Sequence, residues 1–152
     1  MPQTQKVATA SLPKSSLLFQ QPAGLRPDDF MDCYAKPSTR SVDEAAARAF
    51  TFPAWVSALM RLRNLLVAPF GLNTKITNPN RVGIFPLVTR SETELILGID
   101  DSHLDFRISV LRQEGMLYFA TWVRTKNRFG RLYLRLIMPF HILIVRNALT
   151  RA

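Results

Sequence analysis

Four polar residues alternate along one short stretch, Asp101-x-His103-x-Asp105-x-Arg107, and their types could do chemistry together. On a β-strand successive side chains point to opposite faces, so these four would share one face and the apolar residues between them the other. A carboxylate beside an imidazole and a guanidinium can orient a proton carrier or clamp an acidic ligand. A charged outer face over an apolar inner face shows the same alternation, so this structural alternative stays open.

Metal binding and nucleophilic catalysis are both disfavoured by the residues present. Asp101 and Asp105 would lie about 13 Å apart on a strand, too far to share one ion, and the chain has two histidines. Cys33, the single cysteine, could form a triad with His103 and an aspartate, but no nucleophile elbow surrounds it. A lone cysteine in a strand is typically a small buried hydrophobe. We therefore expect no metal and no cofactor.

The elements that position these residues follow from the hydrophobic period. Phe30–Lys36 is predicted to be a strand, Ser41 begins a short helix with a capping box, and a second helix runs from Pro53 to a C-cap at Gly71. The period then changes to two, which predicts four strands joined by short turns in an antiparallel meander: Val82–Val88, Glu94–Ile99, His103–Arg112 and Met116–Arg124. Pro86 predicts an edge position or a bulge in the first of the four.

The segment from Phe129 to Ala152 reads as one long, mostly buried helix that the sheet must cover. Pro139 would bend it toward the sheet. Its arginines, Arg131, Arg135 and Arg146, gather on the opposite side. At about 100° per residue its apolar face would comprise Phe129, Leu132, Tyr133, Leu136, Ile137, Phe140, Leu143 and Ile144. The prediction is an α+β domain in which a curved antiparallel sheet wraps around a long C-terminal helix, with two short helices after the first strand.

Composition bounds the domain organisation and the partners. Residues 1–27 contain no acid and no hydrophobic period, so we expect a flexible N-terminal arm before a single domain at 28–152. The net charge is +9 over 152 residues, and no acid follows Glu114. The arginines are spread out, which argues against specific nucleic-acid binding.

We find no signal peptide and no apolar run of the ~20 residues that a transmembrane span needs. The expected location is the cytoplasm, and a homo-oligomer stays open.

A series of motifs resembles the bacterial family called domain of unknown function 2867, over about residues 28–152. The motifs are GLNT (71–74), VGIFPLV (82–88), LGIDDSHLDFR (97–107), TKNRFGRLYL (125–134) and IMPFH (137–141). The resemblance implies a helix-grip domain of the START-like, Bet v 1-like (SRPBCC) type, which in some proteins follows a nucleotide-binding oxidoreductase domain. This chain departs from the family in having Lys126 where a histidine is expected. The resemblance implies a fold and no activity.

A domain of this kind predicts a small, partly apolar ligand held between the sheet and the C-terminal helix. Large amphipathic side chains suit the lining of such a pocket, and the residues expected there are Tyr118, Trp122, Phe140 and His141. His103, Asp105 and Arg107 would be the polar contacts if their strand turns them inward. Two alternatives stay open: an enzyme using the Asp101–Arg107 face for acid–base chemistry, and a module that binds anionic surfaces through the basic C-terminal helix.

Overall fold

The computed structural model of this chain describes residues 6–22, 24–70, 80–83 and 85–152. Within these ranges the chain forms an antiparallel sheet of seven strands in the order β1-β2-β7-β6-β5-β4-β3. The strands are β1 (Ala8–Thr9), β2 (Phe30–Pro37), β3 (Arg81–Val82), β4 (Phe85–Arg90), β5 (Glu94–Asp100), β6 (Leu104–Gln113) and β7 (Met116–Thr125). The predicted α+β class and the predicted meander are confirmed.

Three α-helices accompany the sheet: α1 (Val42–Ala49), α2 (Ala54–Val67) and α3 (Arg128–Arg151). Short 3₁₀ helices occupy Leu17–Gln20 and Ala68–Phe70. The Ser41 hydroxyl accepts a hydrogen bond from the Glu44 N–H at 3.2 Å, which is the N-terminal half of the predicted capping box. The predicted C-cap at Gly71 lies outside the described residues.

The two faces of the sheet have different covers. On one face, which we call the helix face, α1 and the end of α3 pack on a core that includes Leu97, Val110 and Phe119. On the other, the arm face, Leu12 and Leu18 from the N-terminal segment (residues 6–22) cover a second apolar cluster: Cys33, Ile96, Leu111, Ala120 and Trp122. Both faces of the central strands are therefore buried, and any site lies at their margins.

The N-terminal segment contributes to the structure, although the sequence predicts a flexible arm there. Ala8 and Thr9 pair with Ala35 and Tyr34 of β2, and Leu18 is fully buried. The sequence pattern misses this because a two-residue strand and a single 3₁₀ turn are too short to establish a period. The division of the chain at residue 27 stays a prediction.

The strand predicted at Val82–Val88 is interrupted. Gly83 adopts a φ of 60° between β3 and β4, a conformation that glycine accepts and other residues rarely do. The pairing of β4 with β5 shifts register between Leu87 and Thr89. Pro86 predicted an edge position or a bulge, and the register shift begins at the next residue, Leu87.

The prediction that α3 is mostly buried through its apolar face is wrong. Its buried residues among those described are Gly130, Ala148 and Leu149. Gly130 and Ala148 are eighteen residues apart, five whole turns, so they share one side of the helix. A Cβ at Gly130 would lie 2.2 Å from the His103 carbonyl oxygen, so only the smallest side chain allows this approach. The sheet packs on the side with the smallest residues, and the predicted apolar face is turned away from it.

Candidate functional site

A cleft of about 290 Å³ lies between the helix face of the sheet and the first half of α3. Phe30 and Val123 are paired across β2 and β7 and form its apolar floor, with Thr125 beside them. Leu134, Arg131 and Arg135 line it from α3, and Asp28 completes the rim. The arrangement offers an apolar surface to a hydrocarbon or ring, and two guanidinium groups to an acid.

A histidine–carboxylate pair lies beside this cleft on the same face. His141 Nε2 of α3 is 3.1 Å from Asp32 Oδ2 of β2, and both side chains are less than a fifth exposed. The His141 ring meets the Phe30 ring edge-on, with centroids 6.1 Å apart. Within the described part of the chain, the buried Asp32 Oδ1 has no hydrogen-bond partner. The carboxylate fixes the orientation of the imidazole.

His103 lies in the turn before β6 and helps to begin α3. The Asn127 side chain caps α3 by accepting the Gly130 N–H at 2.9 Å, so its amide nitrogen faces His103 Nδ1 at 2.8 Å. The His103 ring also packs on Phe129, with centroids 4.6 Å apart. The residue expected to contact a ligand is therefore found holding the N-terminus of α3.

Asp105 and Arg107 point to the arm face, away from α3. Asp105 pairs with Lys126 at 2.8 Å, and Arg107 pairs with Asp100 at 2.7 Å. Arg107 borders a second depression of about 310 Å³, lined chiefly by the N-terminal segment, β4 and Ile96. Asp105 and Arg107 do not meet His141, which is on the other face. Asp105 and Arg107 are therefore largely buried in ion pairs on the arm face, with side chains 19% and 15% exposed.

Tyr118 and Trp122 also lie on the arm face, contrary to the expected lining beneath α3. Trp122 is 2% exposed, and its indole N–H donates to Asp29 at 2.9 Å. Burial alone would raise the pKa of Asp29. Hydrogen bonds from Arg124, from the Arg26 backbone N–H and from Trp122 outweigh burial and hold that pKa at about 2. This cluster joins the loop before β2 to β7, which is a structural role.

Of the seven residues predicted to contact a ligand, the structure brings one, His141, next to the cleft under α3. Phe140 is 51% exposed on the outer side of the helix. None of the cleft-lining residues was predicted from the sequence to contact a ligand: Asp28, Phe30, Val123, Thr125, Arg131, Leu134 and Arg135. The i, i+4 spacing of the two arginines was visible, but the rotation of α3 that brings them to the cleft was not.

Thiol chemistry has no basis at Cys33. The cysteine is buried on the arm face, and burial, with the nearby Asp32 charge, raises its pKa to about 12. Cys33 pairs with Ala120, whereas His103 is bonded at Lys126, six residues or about 20 Å along the strand direction. The triad considered from the sequence is therefore not assembled. The described residues contain no cluster of three or more metal-binding side chains.

By length and composition alone, α3 is apolar enough to cross a membrane. This is weak evidence, because core helices of soluble proteins pass the same test. Such core helices are mostly buried, however, and only 11% of the most apolar window of α3 is buried. The exposure of this helix therefore requires an explanation of its own.

The sheet, the long C-terminal helix and the cleft between them define an α+β domain of the helix-grip class. The sequence model of the family described as "Protein of unknown function (DUF2867)" matches residues 25–148, and the chain belongs to this family. Neither the search of curated proteins nor that of solved structures found a match.

Proposed function

We propose that this domain binds a small amphipathic anion in the cleft between the sheet and α3. The observation that carries the proposal is the pairing of Arg131 and Arg135 with an apolar floor of Phe30 and Val123. A monocarboxylate with a hydrocarbon or aromatic body would place its body on the floor and its charge at the arginines. The sequence also predicted a ligand between the sheet and the C-terminal helix, with different lining residues.

Electrostatics favours an anion in this cleft. The cleft carries two arginines against one carboxylate, Asp28, and α3 as a whole has five arginines and no acid. Guanidinium groups bind carboxylates with two parallel hydrogen bonds, which orient the ligand as well as hold it. The adjacent His141–Asp32 pair adds a second polar feature where the body of a longer ligand would end.

Calorimetric titration with decanoate and with decanol tests this proposal. The two probes share a hydrocarbon chain and differ in the charged head, so the arginines should discriminate between them. We expect decanoate to bind at least about tenfold more tightly than decanol, because a charge-assisted hydrogen bond contributes about 1.5–3 kcal/mol.

Two variants locate the binding site, and one serves as control. Arg131→Gln with Arg135→Gln should remove the preference for decanoate, and Thr125→Phe should block both probes by filling the cleft. Arg146→Gln removes the same charge from an exposed position farther along α3 and should leave the titration unchanged. Equal affinity for the two probes, or full decanoate binding by the double variant, would refute the proposal.

A further inference from the structure

Four large apolar side chains stand exposed in a row on α3. Leu132, Leu136, Phe140 and Leu143 are 56%, 65%, 51% and 62% exposed. Their spacing of four, four and three residues keeps them on one side of the helix over about three turns, or ~16 Å. We call these four residues the apolar stripe. An exposed contiguous apolar surface of this kind marks a binding surface.

Arginines lie beside the apolar stripe in the first half of α3 and again near its end. Arg128, Arg131, Arg135 and Arg146 are all exposed, and at about 100° per residue they fall within roughly 60° of each other, adjacent to the stripe. We call these four the basic flank. The solvent-facing half of α3 is therefore divided lengthwise into an apolar and a cationic half.

The neighbouring helix extends the same kind of surface. Trp55, Leu62 and Leu65 of α2 are 46%, 52% and 73% exposed. Arg63 of α2 donates to the Tyr133 hydroxyl of α3 at 2.7 Å, which places the two helices side by side there. The α2 sequence also contains Arg61 and no acid.

The charges on α2 and α3 indicate which kind of partner binds this surface. A second copy of this chain would bring another α2 and α3, neither of which contains a carboxylate to neutralise the basic flank. An anionic lipid surface offers a hydrocarbon layer to the apolar stripe and phosphate groups, just above that layer, to the basic flank. We propose that α3 docks this protein onto the surface of bilayers that contain anionic lipids.

The helix is placed to lie on the bilayer. At its start, Asn127 and Phe129 are held by His103 of the β5–β6 turn. At its end, Leu149 is buried against the core, and Arg151 donates to the Ala49 carbonyl at 2.7 Å. Because the β5–β6 turn holds the start of α3 and α1 with the core holds its end, the docked helix lies parallel to the membrane plane with the stripe in the acyl boundary.

Vesicle flotation of the full chain tests the proposal. The probes are vesicles of phosphatidylcholine alone and of phosphatidylcholine with phosphatidylglycerol. We expect at least tenfold stronger binding to the anionic vesicles at about 0.1 M salt. This preference should be lost near 1 M salt, where the Debye length falls from about 10 Å to about 3 Å.

Paired variants separate the two halves of the surface. Leu136→Ser with Phe140→Ser should lower binding to anionic vesicles at least tenfold. Arg128→Gln with Arg146→Gln removes half of the basic flank and should reduce the preference for anionic lipid. Val88→Ser and Arg112→Gln change one exposed apolar and one exposed basic residue elsewhere, and should leave binding unchanged. All the changed positions are exposed, so circular dichroism should show a native fold.

Three outcomes would overturn the docking proposal. The first is equal binding to both vesicle types, and the second is binding that survives loss of Leu136 and Phe140. The third is a concentration-dependent dimer that Phe140→Ser dissociates and that does not bind vesicles, which would assign the stripe to a second copy. Arg131 and Arg135 are unchanged in these variants, so decanoate binding should persist in them, and failure of one proposal is distinguishable from failure of the other.

Discussion

Asp29 is the carboxylate with the most donors around it on the arm face. Arg124 approaches both of its oxygens, at 2.9 and 2.8 Å, while the Trp122 indole and the Arg26 N–H donate to Oδ2. The Arg124 and Asp29 side chains are 11% and 5% exposed, so this pair is screened less than a surface ion pair. The Arg124 guanidinium also lies 5.0 Å from the centroid of the Trp122 ring.

The low pKa of Asp29 predicts a stability loss in acid. The folded-state pKa, about 2, lies below the ordinary value of 3.8, so the unfolded chain takes up the proton first. The stabilisation is complete above pH 3.8 and is lost as pH falls toward 2. At pH 6 we expect the free energy of unfolding of the wild type to exceed that of Asp29→Asn by about 1–2 kcal/mol. This difference should close near pH 2.

Urea unfolding followed by circular dichroism measures this difference. The control is Asp28→Asn, which removes the neighbouring exposed carboxylate and should show no comparable change between the two pH values. If wild type and Asp29→Asn differed in free energy of unfolding by the same amount at pH 6 and at pH 2, the low pKa of Asp29 would be contradicted.

At Gly130 we expect a glycine-to-alanine substitution to change stability in the opposite direction from the usual one in a helix. Glycine to alanine within a helix ordinarily stabilises by about 1 kcal/mol. At Gly130 the new methyl group would lie 2.2 Å from the His103 carbonyl oxygen, so the helix must move away from the turn. We expect Gly130→Ala to destabilise by about 1–3 kcal/mol in urea unfolding. Thr150→Ala, at an exposed position of the same helix, should change stability by less than about 0.5 kcal/mol.

Residue identities alone indicated some of these roles and concealed others. Ser41 and Glu44 showed their capping relation because both partners lie within one helical turn. Asp29, Trp122 and Arg124 gave no such signal, because Asp29 lies more than ninety residues from both partners. His103 was predicted to contact a ligand, and its contact with Asn127 gave no local signal because two strands separate the two residues.

At the scale of elements, the N-terminal segment is attached through a buried carboxylate. Glu94 of β5 is 2% exposed and accepts three hydrogen bonds: from the Ser16 hydroxyl at 2.5 Å, the Ser109 hydroxyl at 2.5 Å and the Leu17 N–H at 2.7 Å. A buried carboxylate is costly without such donors. The segment thus supplies two of the three donors to this buried carboxylate.

Leu18 tests whether this segment belongs to the folded unit in solution. Its side chain is fully buried, so Leu18→Ala should lower the free energy of unfolding by about 2–5 kcal/mol. Phe19→Ala, at a neighbouring residue that is 36% exposed, should cost less than about 1 kcal/mol. Equal and small effects of both changes in urea unfolding would support the flexible arm predicted from the sequence.

The elements themselves were predictable, whereas their orientation was only partly so. β2, β5, β6 and β7 follow from alternation, and α1 from its cap. The rotation of α3 was predicted from hydrophobicity, which assumes that the largest apolar side chains face the core. Packing against the sheet is decided instead by Gly130 and Ala148, where close approach is sterically allowed. The sequence pattern of an apolar helix face is the same whether that face packs on the core or binds a partner.

At the scale of the whole molecule, positive charge dominates. Twenty lysines and arginines stand against eleven acids, which gives the net charge of +9. The exposed half of α3 concentrates this excess, since the last acid in the chain is Glu114. Repulsion among these charges opposes folding and is relieved when salt screens it.

The melting temperature should therefore rise with salt, and it should rise further with a divalent anion. Sodium chloride from 0.01 to 0.15 M shortens the Debye length from about 30 to about 8 Å and should raise the melting temperature of the protein. Sulfate at equal ionic strength should add about 3 °C, because an anion bound at Arg131 and Arg135 stabilises the folded state by mass action.

The variant that lacks these two arginines separates binding from the general effect of sulfate. Sulfate strengthens apolar burial in any protein because it is excluded from the surface, and that contribution remains in Arg131→Gln with Arg135→Gln. Only the contribution from binding should vanish, so the sulfate increment of the double variant should fall below that of wild type and of Arg146→Gln. The same increment in all three proteins would mean that the cleft does not select anions, whatever the molecule's net charge contributes to its stability.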